Sequence, residues 1–157
     1  MTSKEIRHIL CAVRGVPKSR DTVTRAIELA LAHNARLTFM HVTDAEFMTA
    51  VRPSMTSLRT VYQQLHNLGE FTLMILCDQA QRYGVNDADF LIREGKLVPQ
   101  LKQVLSELRP DLLVIGKPVI KKPSSRAIEL DDFEQFIEEI ESRLNIPVVS
   151  VEIDLID

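Results

Sequence analysis

The feature that most constrains the fold of this chain is a regular alternation between two hydrophobic patterns. Five short runs rich in β-branched residues are predicted to be strands, at residues 8–13, 36–42, 88–94, 111–116 and 147–153. The run from Leu112 to Ile115 is apolar at every position, which is typical of a strand that a parallel sheet buries on both faces.

Segments with helical periodicity separate these runs and predict helices at residues 20–33, 54–83, 97–108 and 131–144. The second segment carries a stripe, spaced by three and four residues, that we expect to cover the sheet: Leu58, Val61, Leu65, Leu68, Thr72, Ile75 and Gln79. Because Gly69 lies in its middle and glycine disfavours a helix interior, we expect two helices that break there. The alternative is one continuous helix about 45 Å long, which would protrude and contact a partner subunit.

This β-α-β-α-β-α-β-α-β order predicts a doubly wound, Rossmann-like fold: a three-layer α/β/α sandwich with a five-stranded parallel sheet. Residues 1–157 are expected to form a single domain, because no repeat or linker interrupts the alternation. In such folds ligands lie at the carboxyl ends of the strands, near the point where the strand order reverses. The strand ends at Ala12 and Val42, and the residues that follow the strands, are therefore candidate ligand-binding positions.

The composition argues against several classes of partner. Nineteen basic and 22 acidic residues give a net charge of −3, so we expect no general attraction to nucleic acid. The apolar runs are far shorter than the roughly 20 residues of a membrane-spanning helix. The N-terminal residues do not resemble a signal peptide, and the two cysteines do not suggest a secreted disulfide scaffold. We therefore expect a cytoplasmic protein.

Several stretches of the sequence resemble motifs of the universal stress protein family. They are ILCAVRGVPKS at residues 9–19, ARLTFMHV at 35–42, REG at 93–95, DLLVIG at 111–116 and PVVSV at 147–151. Their family counterparts are I-L-V-P-V-D-G-S-x-x-S, A-x-L-T-L-L-H-V, R-E-G, D-L-I-V-V-G and P-V-L-V-V. Because the stretches follow the family's order along nearly the whole chain, the resemblance implies the family's fold, which is like that of the adenine nucleotide alpha hydrolases.

The sequence departs from this family where its nucleotide-binding members hold phosphate. Those members carry G-x2-G-x9-G-[ST] after the fourth strand, and the glycines let backbone N–H groups approach the phosphates. Here only Gly116 matches, no glycine follows it, and Val119, Glu129 and Leu130 occupy the other positions. Arg14 stands where the family has an aspartate near the ribose or a metal. The resemblance therefore implies a member that does not bind ATP in the usual way and needs no cofactor.

A basic segment after the fourth predicted strand leaves a second possibility open. It carries Lys117, Lys121, Lys122 and Arg126, and Arg14 lies at a neighbouring strand end. These cations could replace the missing backbone cradle and bind a phosphate group or an acidic partner, while opposing a divalent metal. They also fit a solvated surface loop, balanced by the acidic residues that follow, with Arg14 held in a salt bridge.

The last predicted strand suggests how the chain associates. Its residues Val148, Val149, Val151 and Ile153 would lie at an edge of the sheet, and an exposed apolar edge must be covered or paired. Family members resemble one another in pairing this strand across a twofold axis. The resemblance therefore implies a homodimer formed through the last strand.

No motif in the sequence points to catalysis. There is no G-x-S-x-G nucleophile elbow and no P-loop, and the four histidines are not at the spacing of a metal site. Cys11 is expected to be a buried structural thiol. The first hypothesis is therefore a non-catalytic stress-response homodimer that acts through an unidentified protein partner. The alternative is a sensor that binds a nucleotide or another phosphorylated anion through Arg14 and the basic loop 117–126.

Overall fold

The computed structural model describes residues 5–13, 20–43, 56–119 and 127–154, in which strands and helices alternate. The elements are β1 (His8–Ala12), α1 (Arg20–His33), β2 (Arg36–Thr43), α2 (Thr56–Tyr83), β3 (Ala88–Glu94), α3 (Leu97–Leu108), β4 (Leu112–Val119), α4 (Ala127–Glu139), a π-helical turn (Ile140–Leu144) and β5 (Val148–Asp154). The strands form one parallel sheet in the order β3-β2-β1-β4-β5. The predicted parallel sheet and the alternating order of strands and helices are therefore confirmed.

Two hydrophobic clusters cover the two faces of this sheet. On β1, Ile9 and Cys11 belong to the cluster under α1 and α2, whereas Leu10 and Ala12 belong to the cluster under α3 and α4. All four side chains are buried. A central strand covered on both faces has to be apolar at successive positions, which explains its uninterrupted hydrophobic run. The architecture is the predicted three-layer, doubly wound sandwich.

Residues with a positive φ mark the helix ends, whereas acidic residues did not mark the start of the last helix. α1 ends at Asn34, whose φ of 53° breaks the helix, and α3 ends in the same way at Arg109, with φ of 46°. The last helix begins at Ala127 rather than at residue 131, and its final turn, Ile140–Leu144, is π-helical. The acidic residues that suggested a start at 131 lie inside this helix, because acidic side chains favour a helix start only weakly.

The second helix corrects two expectations. α2 runs without a break through Gly69, because one residue of low helix propensity costs only about 1 kcal/mol in a helix. The side chains that α2 buries against the sheet are Leu73, Leu76, Cys77 and Ala80. Of the stripe that was expected to cover the sheet, Leu68 and Ile75 are half or more exposed.

Two apolar stripes on α2 share helical spacing, so periodicity alone did not separate the buried one from the exposed one. Leu58, Val61 and Leu65 of the expected stripe lie outside the described side chains. Among the described residues, none of the helices is both long enough and apolar enough to cross a membrane.

The fourth strand is longer than predicted at its carboxyl end. The sequence predicted an end at Gly116, but β4 continues to Val119 beside β5, where Val119 lies opposite Asp154. The pairing between β1 and β4 ends at Ile115. Beyond it, within the described part of the chain, β4 pairs with β5 alone, and a strand tolerates a proline such as Pro118 where it pairs on one side only. The other predicted strand ends agree with the structure to within about one residue, well inside the usual uncertainty of boundaries.

Candidate functional site

The candidate site is the carboxyl edge of the sheet between β1 and β4. The chain winds outward from β1 through β2 to β3 and then crosses back to β4, so the strand order reverses between these two strands. In open parallel sheets a crevice forms at this point, because the connections leave toward opposite faces. β1 enters the crevice at Ala12, and β4 passes it at Gly116.

The described residues at this point of the sheet are apolar. Ala12, Val13 and Gly116 are buried. Val42, on the neighbouring strand β2, is partly buried against the cluster under α3 and α4. The predicted ligand-binding residues Ala12, Val42 and Gly116 therefore lie along one edge of the sheet. Their side chains could give a ligand van der Waals contact but carry no charge.

A histidine anchors the end of β1. Nδ1–H of His41 donates to the carbonyl of Val13 at 3.1 Å, and the Val13 N–H donates to the Met40 carbonyl at 2.8 Å. Because a carbonyl only accepts, Nδ1 of His41 must carry the proton. Gly69 lies against this ring, since a Cβ placed there would be 3.4 Å from Cδ2 of His41. His41 thus connects β1, β2 and α2 beside the candidate site, a contact that sequence reasoning missed because it depends on how α2 docks.

Lys117 is the one predicted cation that falls within the described residues. Its Nζ lies 3.5 Å from Oε1 of Glu134 on α4, an ion pair that is partly exposed and therefore weak. The other predicted cations, Arg14, Lys121, Lys122 and Arg126, lie outside the described residues. A site in which the five cations act together stays a prediction.

The backbone after Gly116 does not have the form of a phosphate-binding loop over the residues described. Lys117 lies opposite Glu152 and Val119 opposite Asp154 in the ladder with β5. Successive N–H groups of an extended strand point to opposite sides, whereas a phosphate cradle needs several that converge on one point. Val119, at the second glycine position of the family motif, is part of this strand.

The two cysteines are not activated thiols. Both are free and buried, and burial raises the pKa of Cys11 to about 12. Burial, with a smaller contribution from Asp89, raises the pKa of Cys77 to about 11. A thiol with a raised pKa stays protonated near neutral pH and is a poor nucleophile. Cys11 is therefore the buried thiol that the sequence predicted.

A polar network lies at the opposite, amino edge of the sheet. The Thr38 hydroxyl donates to Oδ1 of Asp89 at 2.6 Å, so Nε2–H of His8 donates to the Thr38 oxygen at 2.7 Å. Arg36 pairs with Asp89, and burial together with Arg36 lowers the pKa of His8. Thr38 is buried and so cannot attack a substrate. The network holds β1, β2 and β3 together, and within the described part of the chain no three His, Cys, Asp or Glu residues are grouped to hold a metal ion.

A cavity of about 380 Å³ also lies near the amino edge, between the C-terminal end of α3 and the π-helical turn. It is lined by Leu105, Ser106, Arg109, Pro110, Arg143, Leu144, Asn145 and Ile146. The last carbonyls of a helix carry partial negative charge, which favours nearby cations. We therefore attribute Arg109 and Arg143 to stabilisation of two helix ends and not to an anion site.

Comparison with known proteins agrees with the fold. The model of the Universal stress protein family matches residues 5–151. A comparison with curated proteins finds no match. Among solved structures, Universal stress protein UspA from Lactobacillus plantarum is similar to this chain with a TM-score of 0.70 and 16% identity, covering 95% of this chain and 99% of that one.

Two further similar structures contain nucleotides. A universal stress protein in complex with cAMP has a TM-score of 0.63 and 19% identity, covering 95% of this chain and 98% of that one. A universal stress protein family protein from Arabidopsis thaliana with AMP bound has a TM-score of 0.58 and 18% identity, covering 95% and 93%. At these identities the likeness is one of fold, and each ligand belongs to the protein in which it was found.

Proposed function

The chain belongs to the universal stress protein family, and from this premise we propose that it is a non-catalytic stress-response protein that does not bind ATP in the usual way. The observation that carries the proposal is the continuation of β4 as a paired strand to Val119. Because the second glycine position lies inside a strand, its backbone is not arranged to wrap a phosphate. The burial of Ala12 and Gly116, which carry no polar side chain, supports the same conclusion.

Thermal unfolding in the presence of nucleotides tests this proposal. A ligand that binds only the folded chain stabilises it by about 2.7 kcal/mol at 100 times its Kd. We expect the Tm to stay constant when ATP, AMP or cAMP is raised to millimolar concentration. A Tm that rises with the logarithm of the concentration of any of the three would contradict the proposal.

We further propose that the chain forms a homodimer through β5 and acts through a protein partner. β5 lies at an edge of the sheet, and its residues Val148, Val149 and Val151 are only partly buried. The side chain of Ile153, the fourth predicted interface residue, lies outside the described ones. Pairing two such edges would complete their backbone hydrogen bonds and cover the valines.

Placing a lysine on this edge tests the dimer. In Ser150→Lys the new charges of two copies would lie near each other across the twofold axis, so we expect the mass measured by light scattering to fall by half. Ser142→Lys adds the same charge to an exposed serine on the π-helical turn and should leave the mass unchanged. An unchanged mass for Ser150→Lys would refute association through β5.

The alternative function is a sensor for a phosphorylated anion, and the position of Lys117 at the carboxyl edge favours it. Two similar folds carry cAMP or AMP, and the basic loop 117–126 follows Gly116. The carboxylate of Glu134 beside Lys117 argues against it, because a nearby negative charge repels an anion.

A double variant separates the two functions. If an anion binds, Arg14→Ala with Lys117→Ala should abolish its stabilising effect without changing the Tm of the ligand-free protein much. The control is Arg82→Ala with Lys102→Ala, which also removes one arginine and one lysine. These two residues pair with Asp78 and Glu139, so the control should keep the stabilising effect of the anion. Equal loss in both variants would point to non-specific screening.

We also propose a cytoplasmic location, which two free, buried thiols fit.

A further inference from the structure

An exposed apolar stripe runs along the outer side of α2. It consists of Leu68, Phe71, Met74 and Ile75, which are 60%, 59%, 53% and 50% exposed. These residues are spaced by one, three or four positions, so they form one continuous face of the helix. The opposite face of α2 is the one buried against the sheet, with Leu73 and Ala80 in the cluster beneath it. The stripe therefore does not contribute to the core.

The stripe is as large as the largest apolar patches that monomeric proteins usually expose. A large side chain that is half exposed offers on the order of 100 Å². Four adjacent ones reach about 400 Å², within the range of the largest patches on monomers, and such patches are often binding surfaces. Among the described residues, the large hydrophobic side chains that are exposed elsewhere are scattered over α1 and α3: Leu31, Val98 and Leu108. Tyr83 lies on α2 beyond the stripe.

The segment of α2 that carries the stripe has few charged residues of its own, and Asp78 and Asp89 lie beside the stripe only at its Met74 end. From Thr60 to Cys77 the sequence has one charged side chain, Glu70, although charged residues make up 26% of the chain. The next two, Asp78 and Arg82, pair with each other at 2.9 Å. A nearly neutral apolar face gives no attraction to nucleic acid or to a charged peptide, and it imposes no like-charge repulsion when two identical faces meet.

We infer that a second copy of this chain covers the stripe, with α2 packed antiparallel against the α2 helix of its twofold-related copy. An isologous contact needs a patch that is complementary to itself, and an uncharged apolar stripe meets that requirement. Two stripes would bury about 800 Å² from these side chains alone, and the amides of Gln64, Asn67 and Gln79 beside them bring the contact near the roughly 1,200 Å² of a stable interface. This surface is separate from the β5 edge, so the inference does not depend on the proposed dimer.

Light scattering on a pair of matched variants tests the inference. The double variant Phe71→Glu, Ile75→Glu adds two carboxylates to each chain, so four would meet in each α2 contact and repel one another. We therefore expect the variant to have half the mass of the wild type at the same concentration. Val98→Glu with Leu108→Glu makes the same change on α3, at residues that are each 39% exposed, and should keep the wild-type mass. Because the replaced α2 side chains are exposed, circular dichroism should show both variants folded, and Phe71→Gln with Ile75→Gln provides a milder version.

Two outcomes would overturn the inference. One is a wild-type chain that is monomeric up to about 100 µM, well above the micromolar dissociation constants typical of weak complexes. The other is a folded α2 variant that keeps the wild-type mass. Because Ser150→Lys acts on β5 alone, the two surfaces are distinguished: loss of mass in that variant and not in the α2 variant would support the β5 dimer and refute the α2 contact.

Discussion

At the scale of single residues, two glycines at the carboxyl edge differ in what they require. Gly69 lies in the middle of α2, where any residue can adopt the backbone conformation, and an added Cβ would make ordinary contact with His41 at 3.4 Å. Gly95 follows β3 with a φ of 133°, and an added Cβ would lie 3.1 Å from Nε2 of Gln100. Gly95 is therefore needed for the turn, whereas Gly69 is tolerated in the helix.

Replacing Gly69 by alanine should stabilise the protein. The change removes backbone entropy from the unfolded chain and raises helix propensity, worth about 0.5–1 kcal/mol in a helix interior. Urea denaturation should show a higher midpoint at an unchanged slope. A lower midpoint would mean that the His41 ring has to lie closer to the helix than the structure shows.

Replacing Gly95 by alanine should destabilise the protein by about 1–3 kcal/mol, because a side chain is strained in that backbone region. The same denaturation measurement on Glu94→Ala, one residue earlier and exposed, should show a change below about 0.5 kcal/mol. Equal effects of the two substitutions would contradict the strain argument.

The amino-edge network predicts a pH dependence. Burial and the nearby Arg36 lower the pKa of His8 from 6.5, although Asp89, Asp111 and Asp87 oppose that shift. His8 therefore binds a proton more readily in the unfolded state than in the folded state. Its contribution to the free energy of unfolding is present above pH 6.5 and is lost as the pH falls through the lowered pKa. Between pH 7 and about pH 5, the free energy of unfolding should fall less in the His8→Gln variant than in the wild type. Equal slopes in variant and wild type would contradict this assignment.

At the scale of whole elements, α2 has a buried and an exposed apolar face, and paired substitutions tell them apart. Leu73→Ala should cost about 2–5 kcal/mol, because it leaves a cavity beneath the helix. Ile75→Ala should cost about 0.5 kcal/mol when unfolding is measured at high dilution, because half of that side chain is already in water. The reverse order would mean that α2 is rotated about its axis.

Most element boundaries were predictable from the sequence because they depend on local patterns. Uninterrupted apolar runs identified strands that are covered on both faces, and the helix from 97 to 108 matches α3 in full. The buried face of α2 was not predictable, since it depends on how the helix docks on β2 and β3. The extension of β4 to Val119 was hidden by Lys117 and Pro118, which interrupt the apolar run.

The place of three candidate residues in the sheet was predictable, whereas a binding site there stays a prediction. The rule for parallel sheets placed Ala12, Val42 and Gly116 at the carboxyl edge, and the structure has them there. The pairing of Lys117 with Glu134 joins a strand to a helix across a connection that sequence patterns do not orient. The roles assigned to Arg14, Lys121, Lys122 and Arg126 stay predictions.

At the scale of the whole molecule, the fold is that of the universal stress proteins, while the segment after Gly116 departs from their phosphate-binding motif. A shared fold does not fix a ligand, because a site depends on a few residues placed on that fold. In this chain the sheet edge at β5 and the stripe on α2 are both available for association. We therefore expect its activity to depend on protein surfaces and not on a bound nucleotide.

Native mass spectrometry of the freshly purified protein tests this central claim most directly, because one spectrum reports both the assembly and any retained ligand. We expect an assembly with an even number of chains, each at the 17.8 kDa of the sequence and without added mass. An adenine nucleotide retained by each chain would contradict the account, since it would show that the crevice between β1 and β4 binds phosphate without the glycine motif.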